Sequence, residues 1–222
     1  TSVKSQLLDE HYGYIRISRF QENTPEEFHA ALESLLNKVQ GHQLRGLVLD
    51  LRNNPGGLLP ASIKVADDFL DVSQEGPKNR YQNLIISVKG RQGESELSAN
   101  ATAGDLIVGV PVVVLINMGS ASAAEIVAAA LQDHHRAIIM GEKSFGKGSV
   151  QTVIPLADGK TAIKMTTARF YSPSGRPIQG EGVTPDVTVP QIDLSKINNQ
   201  NSNPSDLGGL NYREMNLSGA LT

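Results

Sequence analysis

Apolar and polar residues alternate through Tyr12-Gly13-Tyr14-Ile15-Arg16-Ile17-Ser18-Arg19-Phe20, the period of a strand with one buried face. Thr24-Pro25-Glu26-Glu27 then reads as a helix start, with a capping threonine, proline at the first position and acids in the first turn. Phe28, Ala31, Leu32, Leu35, Leu36 and Val39 continue it at helical spacing. The short apolar run Leu47 to Leu51 predicts a buried strand, which the turn Asn53-Asn54-Pro55-Gly56-Gly57 ends before a second helix, Pro60 to Leu70. Strand, glycine turn, helix is the crossover unit of an α/β layer fold. The unit recurs: Val110 to Ile116 predicts a buried strand, Ala123 to Leu131 a helix and Ala137 to Met140 another short strand. Between Val72 and Gly109 the pattern is irregular, with one strand at Leu84 to Val88 and a polar, glycine-bearing loop from Lys89 to Gly104. Ser149 to Pro155 and Thr161 to Phe170 predict two strands joined at Asp158-Gly159, a hairpin signal. After Pro190 the chain turns to Asn, Ser and Gly, and Asn198 to Asn203 predicts a mobile stretch. Ile192, Leu194, Ile197, Leu207, Leu210, Met215, Leu217 and Leu221 are nevertheless too many apolar side chains for a purely solvated tail.

Composition narrows this picture. The 222 residues suit one domain with a sizeable core, and the absence of Trp with 5% aromatics makes that core aliphatic. A net charge of −3, scattered and without a basic run, gives no support to a nucleic-acid partner. Zero cysteines exclude disulfides and thiolate metal sites but leave the compartment open. No apolar stretch is long enough to span a bilayer and no signal peptide opens the chain. No His, Asp and Glu cluster has metal-ligand spacing, and the glycine-rich stretches lack the Lys-Ser/Thr of a phosphate loop, so neither a metal nor a cofactor is expected.

Two segments carry candidate chemistry. In Asn117-Met118-Gly119-Ser120-Ala121-Ser122-Ala123-Ala124-Glu125-Ile126 an apolar strand breaks through tiny residues into a helix, so a serine there sits beside unpaired backbone N–H groups. Gly141-Glu142-Lys143-Ser144-Phe145-Gly146-Lys147-Gly148-Ser149-Val150-Gln151 offers Lys147 between two glycines on a turn that brings an amine close to another backbone. An amine shielded from water and from carboxylates gives up its proton readily, and a serine nucleophile needs such a base. Ser120 and Ser122 compete for the nucleophile, Ser120 being suited to a structural helix cap.

These two runs, with Asp50-Leu51-Arg52-Asn53-Asn54-Pro55-Gly56-Gly57 upstream and Tyr171-Ser172-Pro173-Ser174-Gly175-Arg176-Pro177-Ile178-Gln179 downstream, resemble the four motifs of the C-terminal processing peptidases, the tail-specific proteases. Each is weak alone, but chance rarely keeps four in order and spacing. The resemblance covers Gly13 to Val189 and implies a serine endopeptidase with a Ser/Lys dyad. Ser122 matches the family's nucleophile and Lys147, 25 residues on, its general base; Gln151 matches the position that orients the lysine. The N–H groups of Gly57 and Ala123 match the oxyanion hole, where a glycine lets a substrate carbonyl approach bare backbone. Asp133 matches an acidic position read as structural, bonded to Arg136 or the lysine loop, and Lys143 is a surface lysine. His134 and His135 follow the serine helix some 15 Å or more away along its axis and are poor bases for that serine. His11, His29 and His42 lie in polar contexts that predict exposure. Met118 and Ala124 depart from the common pattern without touching the dyad.

The resemblance further implies an α/β fold with a layered crotonase-like and Clp-protease-like core, parallel-rich sheets and an added β-hairpin. Residues 1–190 form the peptidase core, without the PDZ domain that normally precedes it, and 191–222 form a tail that is a candidate oligomerisation segment. Implied partners are protein substrates with flexible apolar C-terminal tails threaded as an added strand, an adaptor lipoprotein in some members, and a second copy of the chain. Export follows as well, to the periplasm, with association to the inner membrane through a removed N-terminal segment. Without the PDZ domain, the dyad is expected to be misaligned and the core inactive alone. The rivals are a crotonase-like acyl-thioester enzyme, which leaves Lys147 and Gln151 unexplained, and a non-catalytic peptide-binding or assembly module.

Overall fold

Alternating apolar residues on five parallel strands build the sheet that organises the molecule. In the computed structural model, which describes residues 1–39, 44–71, 81–91, 95–156, 159–190 and 214–217, the elements run β1 (Val3–Leu8), β2 (Tyr12–Ile17), α1 (Thr24–Lys38), β3 (Gly46–Asp50), α2 (Leu59–Asp67), β4 (Leu84–Gly90), β5 (Ser95–Asn100), β6 (Val112–Ile116), α3 (Ala123–Asp133), β7 (Ala137–Gly141), β8 (Ser149–Pro155), β9 (Ala162–Tyr171) and β10 (Val187–Thr188). His42, Asp158 and most of the predicted tail lie outside the described residues. A six-stranded sheet has the order β1-β2-β3-β6-β7-β10, with β2 to β10 parallel and β1 antiparallel at the edge. A four-stranded antiparallel sheet has the order β5-β4-β9-β8.

Register places Ile15, Leu49, Val114 and Ile139 side by side, all 0% exposed, on one face of the larger sheet. Residues one step along point the other way. There Tyr14, Val48 and Val113 are half-buried and Ile138 is 52% exposed, so this parallel sheet is covered on one face among the described residues. The covered face packs against the helices, and α3 lies between the two sheets, in contact with β7 and β4. Eight of the eleven residues of α3 are apolar and buried, as required of a helix in a middle layer.

The predicted strands and helices are present, with boundaries moved by a few residues. Three strands escaped the pattern. β1 lacks strict alternation, β5 lies inside the predicted loop from Lys89 to Gly104, and β10 is two residues long. Thr24 does not cap α1; Asn23 holds that position, and the buried Thr24 hydroxyl instead accepts the Gln21 amide and pairs with Ser2 Oγ, both at 2.8 Å. Among the described tail residues a one-turn 3-10 helix, Glu214–Asn216, donates its Glu214 amide to the Phe145 carbonyl at 3.0 Å, with Met215 and Leu217 exposed. No helix among the described residues is long and apolar enough to cross a membrane.

The two sheet faces predict opposite responses to truncation. Leu49→Ala is expected to cost about 2–5 kcal/mol in urea unfolding, and Ile138→Ala about 0.5 kcal/mol or less. Equal costs would contradict the one-sided burial.

Candidate active site

The site forms where β3 and β6 end, at the carboxyl edge of the parallel sheet. Ser120, fully buried, ties these ends together: its hydroxyl donates to the Leu51 carbonyl at 2.8 Å and accepts the Asn117 amide at 3.0 Å. Asn53 and Asn117 interlock, Asn117 Oδ1 accepting the Asn53 amide and Asn117 Nδ2 donating to Asn53 Oδ1, each at 2.9 Å. Ser122 then sits at the N-cap of α3 with φ 53° and ψ −117°, a conformation that side chains rarely adopt. Ser122 is half-buried while Ala123 and Ala124 beside it are sealed in the core.

The glycine turn after β3 comes up against this serine. Asn54 is fully buried; its side chain donates to the Ile17 carbonyl and accepts the Gly56 amide, both at 2.9 Å, and its carbonyl accepts the Ala121 amide at 2.9 Å. A Cβ on Gly56 would lie 2.8 Å from Ser122 Cβ and 3.0 Å from the Ala123 nitrogen, so only glycine fits between them. Gly57 is exposed at φ 141° and pairs with Phe20. Among the described residues no group accepts the amides of Gly57 and Ala123. Ala123 follows Ser122 directly and Gly57 follows the glycine packed against it, and unengaged backbone donors of this kind are the materials of an oxyanion hole.

Glu125, in the first turn of α3, joins the serine to the lysine. Its Oε2 accepts the amides of Ser122 and Lys147, both at 2.8 Å, and its Oε1 accepts the Gly146 amide at 2.7 Å and the Ser144 hydroxyl at 2.5 Å. Complete burial pushes its carboxyl up to about 7, against the lowering effect of these four donors. Every amide from Phe145 to Gly148 is engaged, since Phe145 donates to the Ser120 carbonyl and Gly148 to Gln179 Oε1, each at 3.0 Å. A Cβ on Gly148 would lie 2.3 Å from the Gln179 nitrogen.

Lys147 is half-buried, and among the described residues neither a hydrogen bond nor an ion pair holds its Nζ. No hydrogen bond joins Ser122 Oγ to Lys147 Nζ. Gln151 is exposed and makes no bond to Lys147. Lys147 precedes β8, and a bulge separates Val150 from Gln151. Lys143 is half-buried.

Asp133 is structural, with partners other than those expected. Burial alone would raise its pKa, but the Ser172 hydroxyl at 2.6 Å, the Ser174 amide at 2.8 Å and the Arg176 guanidinium hold it below the usual carboxylate range. Arg136 instead pairs with Asp105. Asp50, fully buried, is likewise held low against burial by Arg52 and Tyr14. His134 is buried with Nε2 at 2.7 Å from the Leu84 carbonyl, His11 is half-buried, and His29 is exposed and paired with Asp68. Two hollows of about 580 and 520 Å³ lie at the far end of α3, lined by Asp133, His135 and Arg136 and by Phe69, Asp105 and His134, away from Ser122. No group of His, Asp and Glu among the described residues is placed to hold a metal ion.

A strained serine at a helix start, unengaged backbone amides nearby and a lysine on an adjoining loop are residue types that a serine hydrolase uses. The model of peptidase family S41 matches residues 11–189, and the chain belongs to that family. It is 49% identical over 179 residues to the carboxy-terminal-processing protease of Bartonella bacilliformis, covering 81% of this chain and 39% of that protein. With the carboxyl-terminal-processing protease of Synechocystis it shares 42% identity over 194 residues, 85% of this chain and 41% of the relative. The solved photosystem II D1 C-terminal processing protease superposes with a TM-score of 0.74 at 32% identity, covering 96% of this chain and 54% of that one. The chain thus spans about half or less of the length of these relatives.

Glu125 generates a test by titration. Its pKa lies above the unfolded value of about 4.5, so the native state binds the extra proton and the group's stabilising contribution is lost as pH rises through about 7. The thermal stability of the native chain, compared with Glu125→Gln, is expected to fall between these values and to stay level above them. A difference constant across that window would refute the assignment.

Proposed function

We propose that the chain is the catalytic core of a serine endopeptidase that cuts proteins near their C-terminal ends, with Ser122 as nucleophile and Lys147 as base. The observation that carries this reading is the Glu125 carboxylate, which fixes the Ser122 and Lys147 amides on one oxygen while the Gly57 and Ala123 amides have no hydrogen-bond partner among the described residues. Lys147 takes the Ser122 proton as Oγ attacks the scissile carbonyl carbon. The two amides receive the oxyanion. Lys147 returns the proton to the leaving amine, and water then cleaves the acyl ester by the same steps. The missing Ser122–Lys147 bond is compatible with this order, because catalytic hydrogen bonds are often long without substrate and tighten in its complex. It also supports low activity for this chain in isolation.

Substrates with flexible apolar tails, export to the periplasm, an adaptor lipoprotein and assembly of copies through the tail extend the reading. The two bacterial relatives, both carboxy-terminal-processing proteases, support cleavage at a C-terminal tail, and the exposed Met215 and Leu217 support the assembly of copies.

Cleavage of an apolar-tailed peptide tests it. Ser122→Ala and Lys147→Ala are each expected to abolish turnover, and not additively, since nucleophile and base act as a unit. Gln151→Ala is expected to be milder. Ser120→Ala is expected to retain chemistry but lose roughly 1–3 kcal/mol of stability, because it strands the Leu51 carbonyl and the Asn117 amide. Full activity in Lys147→Ala, or equal loss in Ser120→Ala and Ser122→Ala, would sink the assignment.

A further inference from the structure

A hollow of about 540 Å³ opens on the outer face of the four-stranded sheet, lined by Lys89, Arg91, Thr166, Thr167, Arg169 and Tyr171 among others. Three cations line it and, among the described residues, no carboxylate does, in a chain whose net charge is −3. Lys89 Nζ lies 4.8 Å from the Tyr171 ring centroid, which holds the ammonium over an aromatic face without neutralising it. Arg169 has a partner of its own. Among the described residues Lys89 and Arg91 have no hydrogen-bond or ion-pair partner, which leaves these two cations open to a ligand.

The place of the hollow gives it a use. Lys89 on β4 stands opposite Arg169 on β9, and Arg169 stands opposite Ser149 on β8. Ser149 is two residues beyond Lys147. Strands rise about 3.4 Å per residue, so an extended peptide at the dyad reaches the hollow within a few residues of its scissile bond. The lining is too polar to select an apolar side chain. An ammonium and a guanidinium beside threonine hydroxyls match a carboxylate, which accepts a guanidinium fork.

We propose that this hollow is a subsite for a carboxylate of the peptide substrate, supplied by its C-terminus or by an acidic side chain near the cut. The proposal rests on the peptidase reading, and its test separates the two. Three apolar decapeptides of one sequence serve as probes: a free acid, a C-terminal amide, and an amide with Glu at the penultimate position. Binding of each to Ser122→Ala is measured by fluorescence anisotropy, and turnover by the native chain is measured alongside.

The acid or the Glu-bearing amide is expected to bind more tightly than the plain amide. Removing both charges in Lys89→Gln/Arg91→Gln on the Ser122→Ala background should weaken that probe about tenfold and leave the plain amide unchanged. Whichever probe responds identifies the source of the carboxylate. In the active chain the same pair of substitutions is expected to raise KM for that probe and leave kcat intact. The advantage should shrink as salt is raised, since the site is open to solvent. Equal binding of all three probes, or a double variant that weakens them uniformly, would overturn the subsite even if every peptide is cleaved. Discrimination by Ser122→Ala together with native turnover that Ser122→Ala does not abolish would uphold the subsite and count against the peptidase reading.

Discussion

The Glu125 carboxylate is the constraint on which the site depends. Serine and lysine come from loops that are distant in sequence, and backbone alone does not fix their relation. One buried group, accepting from Ser122, Ser144, Gly146 and Lys147, sets that relation without touching either reactive side chain. An ionised carboxylate accepts at all of its positions, whereas a protonated one carries an O–H that needs an acceptor, and the four partners are all donors. The arrangement is therefore matched to the ionised form, while burial opposes that form. Such a network is rigid when complete and costly when one member is lost.

Around this joint every loop is held by groups with no part in the chemistry. Ser120 binds the end of β3 to the start of the serine turn, and the carbonyl of Asn54 holds that turn to the glycine loop. Gln179 holds Gly148, and Asp133 anchors the segment carrying Gln179 to the far end of α3. The helix is clamped at both ends: Glu125 at one fixes the lysine loop, and Asp133 at the other fixes the strap behind that loop. The four sequence motifs are thus four sides of one frame rather than four separate functional patches.

Much of the fold was legible because its parallel strands and middle helix are apolar runs bounded by glycine turns, as at Leu47 to Leu51 and at Ala123 onward. What escaped had weak local signals. β1 gains its regularity from pairing with β2, and β10 is two residues closing a ladder on β7. The site was legible as residue types in order, and the structure packs Gly56, the neighbour of Gly57, against Ser122 and Ala123. Its wiring was not. A glutamate in a first helical turn reads as a partner of the helix dipole, and only tertiary contacts reveal that Glu125 reaches across to the lysine loop. The same limit explains Asp133, whose partners are 39 to 43 residues away, and Gln151, which lies beyond a bulge in β8 that its local sequence does not signal.

Ser122 shows how this frame becomes chemical capacity. A non-glycine residue held at φ 53° and ψ −117° costs on the order of 1–3 kcal/mol. It persists because the Ser122 amide is fixed by Glu125, the neighbouring Ala121 amide by Asn54, and the space beside Ser122 Cβ by Gly56. Relaxing the strain would break several of these contacts together. What the strain maintains is a serine half-exposed at the head of a buried helix, beside an Ala123 amide that no group among the described residues accepts. The Lys147 side chain, in contrast, hangs from a fully bonded backbone with no hydrogen-bond or ion-pair partner among the described residues. On the proposed reading the fold therefore sets the backbone of the serine loop, and the reach of the lysine side chain to the serine oxygen is the degree of freedom left to the complex with substrate.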